Sequence, residues 1–130
     1  MSERQTKAPA ERRRPPRERF AGEQHRFDLR AEAEALADEP TGERHGHRQI
    51  TLYRREGSAI VLFDFGPDGY LLDHAADGLV MIQVLSGEVR VTTADEEHPM
   101  PAGSLLVLLP GVHHDVRAVT ASQMLLTVHL

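Results

Sequence analysis

The chain has no cysteine and no tryptophan, and only 5% of its 130 residues are aromatic. The lack of cysteine excludes disulfides, thiolate nucleophiles and thiolate metal ligands, so any metal must be bound by histidine or carboxylate side chains. The scarcity of aromatic side chains argues against stacking of nucleic acid bases on the protein. No apolar run reaches the length of a membrane span, and the polar start does not resemble a secretory signal. We therefore expect a cytoplasmic protein.

Length and charge limit the number of domains and the kind of binding partner. A chain of 130 residues has room for one domain and one core. The net charge is −5; residues 1–24 contribute +3 (seven Lys/Arg against four Asp/Glu), which leaves −8 for the remainder. An acidic domain is a poor partner for nucleic acid.

The N-terminal third divides into two parts. Residues 1–24 contain Arg12-Arg13-Arg14-Pro15-Pro16-Arg17 and few large apolar side chains, so we predict a disordered basic tail. Residues 25–48 are predicted to form one helix, which Asp28 caps and Pro40 ends, and then a polar connection. The helix has only a thin apolar stripe, which predicts packing on the outside of a larger body with the acidic residues facing water.

Residues 49–130 have the pattern of an all-β domain. Strands are predicted at 49–55, 58–65, 70–73, 79–85, 88–91, 104–109, 115–120 and 123–130, because β-branched and apolar residues alternate there between turn residues. Ser86-Gly87 predicts a tight hairpin between the fourth and fifth strands, and Thr92–His98 is predicted to be a polar excursion. Eight short strands with closely spaced turns favour a sandwich or barrel over a parallel sheet.

Two stretches of this domain resemble the two sequence signatures of the cupin superfamily. Proteins of this superfamily are jelly-roll β-barrels. The first signature is Gly, five residues, His-x-His, three or four residues, Glu, six residues, Gly. Aligned at Gly87, it places His74 at the first histidine, Ala76 at the second and Val80 at the glutamate, with Gly69 near the opening glycine.

The second signature is Gly, five residues, Pro-x-Gly, two residues, His, three residues, Asn. Gly103, Gly111 and His114 match it, whereas Leu109 and Ala118 replace the proline and the asparagine. The resemblance implies a cupin-type jelly-roll β-barrel for residues 49–130. Cupins typically hold a metal with three histidines and a glutamate, so only half of that ligand set is present. His74 and His114 alone would bind a divalent transition metal weakly. We therefore predict no tightly bound cofactor.

Other residues could complete a metal site only if they pointed inwards. Asp73, Asp77 and His113 have the wrong alternation for this in extended strands, although a loop could change it. Gln83 is predicted to be either a buried amide or an interface residue. His45 and His47 have the spacing of two ligands on one strand face, but Gly46 and the polar setting favour a loop.

Alternation along the strands predicts a small apolar interior with two imidazoles at one end, His74 facing His114 across it. The expected ligand-pocket residues are His74, Ala76, Val80, Ile82, Val84, His114 and Val116. Such an interior suits a small organic ligand with an apolar body and one polar or anionic group.

The first functional hypothesis is therefore a small-molecule binder or sensor without full metal-dependent catalysis. The alternative is an enzyme, either a metal-dependent oxygenase or isomerase with His74 and His114 as its reduced ligand set, or a metal-free one that uses either histidine as a base. A third hypothesis is a regulatory module that acts through the basic tail. Cupins commonly pair as dimers through strand exchange, so the resemblance implies a homodimer, and the apolar strands here would leave sheet edges that need cover.

Overall fold

The computed structural model describes residues 15–39 and 45–130. These residues form two helices and nine strands. The elements are α1 (Pro16–Arg19), α2 (Leu29–Ala37), β1 (His47–Arg55), β2 (Ser58–Phe65), β3 (Tyr70–His74), β4 (Leu79–Ser86), β5 (Glu88–Thr92), β6 (Glu97–Pro101), β7 (Leu105–Leu108), β8 (His114–Ala118) and β9 (Ser122–His129). Neither described helix is long and apolar enough to cross a membrane.

The strands form two antiparallel sheets. The five-stranded sheet has the order β1-β2-β9-β4-β7, and the four-stranded sheet has the order β3-β8-β5-β6. Alternate side chains of both sheets meet in one apolar core, to which β2, β4, β5, β8 and β9 each contribute buried residues. The prediction of an all-β domain with a short helix before it is confirmed.

Helix α2 packs on the outer side of the five-stranded sheet, as its thin apolar stripe predicts. Ala33 and Leu36 form a second buried apolar cluster together with residues of β1 and β2. The Asp28 carboxylate accepts a hydrogen bond from the backbone N–H of Ala31 at 3.1 Å, which confirms the N-cap. The predicted wet acidic face is wrong at Glu32, whose side chain is buried. The helix ends at Ala37, and Pro40 lies outside the described residues.

The predicted hairpin between the fourth and fifth strands is wrong. Strand β4 pairs with β7 and β9, whereas β5 pairs with β6 and β8 in the other sheet. Ser86 and Gly87 therefore form a corner at which the chain passes from one sheet to the other. Gly87 has a φ of 75°, and a Cβ added to it would lie 2.8 Å from Ser122 Cα. Only glycine fits this corner without strain.

Two strands extend into segments that were predicted to be irregular. Strand β6 begins inside the predicted polar excursion and pairs with β5, where buried Met100 lies opposite Val89. Strand β1 begins at His47, inside the predicted polar connection. Prolines at positions 99 and 101 obscure the strand pattern of β6, which is an edge strand and can therefore accommodate them.

Residues 15–24 were predicted to belong to the disordered tail, but the structure packs them against β1. Phe20 is 7% exposed and makes an edge-on contact with Tyr53 at a ring-centroid distance of 5.5 Å. The Arg19 guanidinium donates a hydrogen bond to the carbonyl of Thr51. Phe20 and Arg19 thus attach this segment to the sheet. Residues 1–14, with three arginines of the basic cluster, lie outside the described residues.

Candidate functional site

The two histidines of the cupin-like signatures lie side by side in the four-stranded sheet. His74 at the end of β3 is paired in register with His114 at the start of β8. Their ring centroids are 5.6 Å apart and the rings meet edge-on, at an interplanar angle of 75°. His114 is 2% exposed, and His74 is partly buried. The histidines are therefore adjacent on neighbouring strands, which corrects the expectation that they face each other across the interior.

A bulge in β3 turns His74 towards the interior. Leu71 is opposite Val116 and His74 is opposite His114, so β3 uses one more residue than β8 over this interval. The extra residue is accommodated at Asp73, which has a positive φ of 49°. Leu71 packs against the core although it lies three positions from His74. Strict alternation would place these two side chains on opposite faces.

The outer side of the bulge is fixed by polar contacts. Asp73 is exposed and its carboxylate accepts a hydrogen bond from His113 Nδ1 at 2.9 Å. The Asp115 carboxylate in turn accepts from the backbone N–H of Asp73. The predictions that Asp73, Asp77 and His113 point away from the interior agree with their exposure. These contacts help to hold His74 beside His114.

The interior next to the histidines is apolar. Val80, Ile82, Val84 and Val116, which we call the apolar wall, are all buried in the main core, and Ala76 packs against it. The five-stranded sheet supplies the first three and the four-stranded sheet supplies Val116. The structure thus brings the apolar residues of the predicted pocket to one core. The buried-amide interpretation of Gln83 is wrong, because this side chain is exposed on the outer face.

His114 has one nitrogen with a partner and one without. Its Nδ1 lies 3.1 Å from the carbonyl oxygen of Val112, and its Nε2 is buried with no hydrogen-bond partner in the described part of the chain. Burial lowers the pKa of His74 below its ordinary value, and the nearby His114 lowers this pKa further. Sequence reasoning did not identify Val112, since a backbone carbonyl has no sequence signal.

The donor set does not fit a metal held by four protein ligands. Ala76 and Val80 occupy the signature positions of the second histidine and the glutamate, and neither has a ligand atom in its side chain. Within residues 15–39 and 45–130, no group of three or more His, Asp or Glu side chains could hold a metal ion. The two imidazoles offer at most a partial coordination sphere.

The other histidine pair has a different environment. His47 is buried in β1, where its Nδ1 lies 3.0 Å from the carbonyl of Tyr70 and its Nε2 lies 3.1 Å from Gln49 Oε1. Its ring also contacts Phe63 and Phe65. These contacts engage both ring nitrogens, so the predicted loop position is wrong for His47, which is a structural core residue. His45 is exposed, at a positive φ of 52°.

One family model and several solved structures are similar to this chain. Residues 59–127 match the family model described as the AraC-like ligand binding domain. A conserved protein of unknown function from Streptococcus pyogenes is 30% identical, with a TM-score of 0.62 over 67% of this chain and 76% of that chain. An RmlC-like cupin from Desulfovibrio desulfuricans is 28% identical, with a TM-score of 0.60 over 71% and 92% of the two chains.

A further structure shows the fold alone. A cupin superfamily protein from Desulfitobacterium hafniense is 17% identical and has a TM-score of 0.68, covering 83% of this chain and 94% of that chain. No curated protein matches the sequence. The matched region contains β3, β4 and β8, and therefore both histidines and the apolar wall. The chain belongs to the AraC-like ligand binding domain family and is a small member of the cupin superfamily.

Proposed function

We propose that this protein binds a small organic molecule between its two sheets and acts as a binder or sensor, without full metal-dependent catalysis. The observation that carries the proposal is the pair of imidazoles beside the buried apolar residues of the core, one of which has a buried nitrogen without a partner among the described residues. Membership of the AraC-like ligand binding domain family supports a role in small-molecule binding or sensing. In the proposed complex the apolar wall contacts the body of the ligand, and His74 and His114 contact its polar group.

The physical argument is the energetic cost of the histidines. Burying a polar group away from water is unfavourable unless it gains a hydrogen bond. His114 is buried almost completely, and Val116 on the same strand belongs to the apolar core. A binding role accounts for this cost, because convergent polar groups in an apolar interior orient a ligand.

Native mass spectrometry combined with elemental analysis tests the proposal. The untagged protein should carry a small organic molecule that is released on denaturation, and His114→Leu should reduce its occupancy. His129→Leu is the matched control, because His129 is exposed at the end of β9 and contacts Ser58 instead. One equivalent of a transition metal that survives dialysis and is lost in both His74→Leu and His114→Leu would contradict the proposal. It would favour the alternative, a metal-dependent oxygenase or isomerase.

We also propose that two copies associate through the outer face of the five-stranded sheet. Strands β4, β7 and β9 contain no Asp, Glu, Lys or Arg. On the edge strand β7, Leu105 and Val107 are exposed, beside the exposed Gln83 of β4. Helix α2 makes its main contacts with β1 and β2, on one side of this sheet. Uncharged apolar surface on an edge strand is typical of an interface.

Light scattering with one pair of variants tests the dimer. Val107 and Leu72 are both 51% exposed, but Leu72 lies on β3 of the other sheet. The unmodified chain and Leu72→Lys should have the mass of a dimer at micromolar concentration, and Val107→Lys should be a monomer. A monomeric mass for the unmodified chain would contradict the proposed association.

A further inference from the structure

The unpartnered nitrogen of His114 points to the chemical class of the ligand. Building on the proposed function, we infer that the bound molecule is a small, largely apolar compound with a neutral hydrogen-bond donor, an alcohol or a phenol, and that this donor meets His114 Nε2. The inference rests on which nitrogen carries the proton, on the burial of the other nitrogen, and on the apolar character of the surrounding side chains.

The Val112 carbonyl determines the tautomer of His114. A carbonyl oxygen only accepts hydrogen bonds, so the 3.1 Å contact requires a proton on Nδ1. A neutral imidazole has one N–H, which leaves Nε2 with a lone pair as an acceptor. A cationic ring at this depth would need an anion beside it. The carboxylates of Asp73 and Asp115 are engaged on the outer side of the bulge.

The lone pair of Nε2 has no other use among the described residues. The atom is buried, and none of the described residues donates to it. The His74 ring lies edge-on at a centroid distance of 5.6 Å, without a hydrogen bond to Nε2. A buried acceptor without a partner destabilises the folded protein, so a molecule that donates to it gains affinity. An ether oxygen or a carboxylate would instead place a lone pair against a lone pair.

The neighbouring side chains limit the rest of the molecule. Leu71, Ala76 and Val112 pack against the same core as the apolar wall, and none of them has a polar side-chain atom. A compound with several hydroxyl groups would leave most of them without partners there, which weakens binding. The arrangement therefore fits one donor on an apolar body.

The first experiment measures the tautomer without any ligand. Long-range ¹H–¹⁵N spectra of the full chain with labelled histidine, recorded near pH 8, should show His114 protonated at Nδ1 and unprotonated at Nε2. The His114→Phe variant assigns the signals by their loss. Protonation at Nε2 would overturn the inference and leave the proposed binding function standing.

The second experiment measures selectivity with matched probes. Phenol, anisole and benzoate share one body, as do cyclohexanol, methoxycyclohexane and cyclohexanecarboxylate. Backbone amide shifts of Val112, His114 and Val116 report binding at the site during titration. The hydroxyl probe of a set should bind at least about tenfold more tightly than its ether or carboxylate. In His114→Phe, which keeps an aromatic ring but removes the acceptor, this preference should disappear.

The possible results separate the two claims. Probes that bind at the site with equal affinity for hydroxyl, ether and carboxylate would overturn the inference but support a binding interior. If no probe of either set shifts these amides, both the inference and the proposed function are overturned. Should Zn²⁺ alone bind at micromolar concentration and shift the same amides, the metal-dependent alternative replaces the inference.

Discussion

Replacing Gly87 by alanine tests whether the chain crosses between the sheets at a corner that has no room for a side chain. The backbone at Gly87 has a φ of 75°, in the left-handed region. An alanine Cβ would lie 2.8 Å from Ser122 Cα and closer still to Ala121 O and Ser122 Oγ. Ser122 is buried, and its hydroxyl accepts from Glu88 N–H at 2.9 Å and contacts the Thr120 carbonyl at 2.7 Å.

The expected decrease in the free energy of unfolding has three components. The left-handed conformation costs an alanine about 1 kcal/mol relative to glycine. Forcing an atom into a packed region costs about 1–3 kcal/mol. Displacing Ser122 weakens buried hydrogen bonds, each of which contributes about 1 kcal/mol. The free energy of unfolding should therefore fall by about 3–5 kcal/mol for Gly87→Ala.

Urea unfolding of Gly87→Ala and Gly103→Ala measures this difference. Gly103 also has a positive φ, of 91°, but a Cβ there would have no heavy atom within 4 Å. Gly103→Ala should thus lose only the backbone component, about 1 kcal/mol. Equal losses for the two variants would refute the crowding at the corner.

Three further predictions concern the packing of helix α2, its N-cap and the pKa of His74. Leu36→Ala, in the fully buried contact of α2 with the sheet, should lower the free energy of unfolding by about 2–4 kcal/mol. The surface control Leu72→Ala should change it by less than about 1 kcal/mol. Asp28→Ala should cost about 1 kcal/mol through the lost N-cap, measured by thermal unfolding. Burial lowers the pKa of His74, so below about pH 6.5 this histidine binds more protons in the unfolded chain than in the folded protein. The free energy of unfolding should therefore decrease as the pH falls. An NMR titration should show that the pKa of His74 rises when His114 is replaced by Gln. An unchanged pKa would contradict the contact between the two rings.

The inward face of the core could be predicted from the sequence. Val80, Ile82 and Val84 lie at alternate positions of β4, and strand alternation assigns them to one side without knowledge of the partner strands. The capping position of Asp28 and the outer packing of Leu36 follow from local pattern in the same way. These features depend on residues close in sequence.

The site itself depends on pairing between distant strands, which local pattern does not contain. The bulge at Asp73 brings Leu71 and His74 to one face, and it arises from the register between β3 and β8. Glycine at position 87 predicts a turn equally well for a hairpin and for a corner between sheets. Only the pairing of β4 and β5 with different partners distinguishes the two.

The location of a bound molecule tests the central claim most directly. Intermolecular NOEs can be measured between phenol and the protein with labelled methyl groups and histidine rings. We predict NOEs to the His114 ring and to the methyl groups of Val112 and Val116 between the two sheets. NOEs confined to Leu105 and Val107, on the outer face, would contradict a binding site beside the histidines.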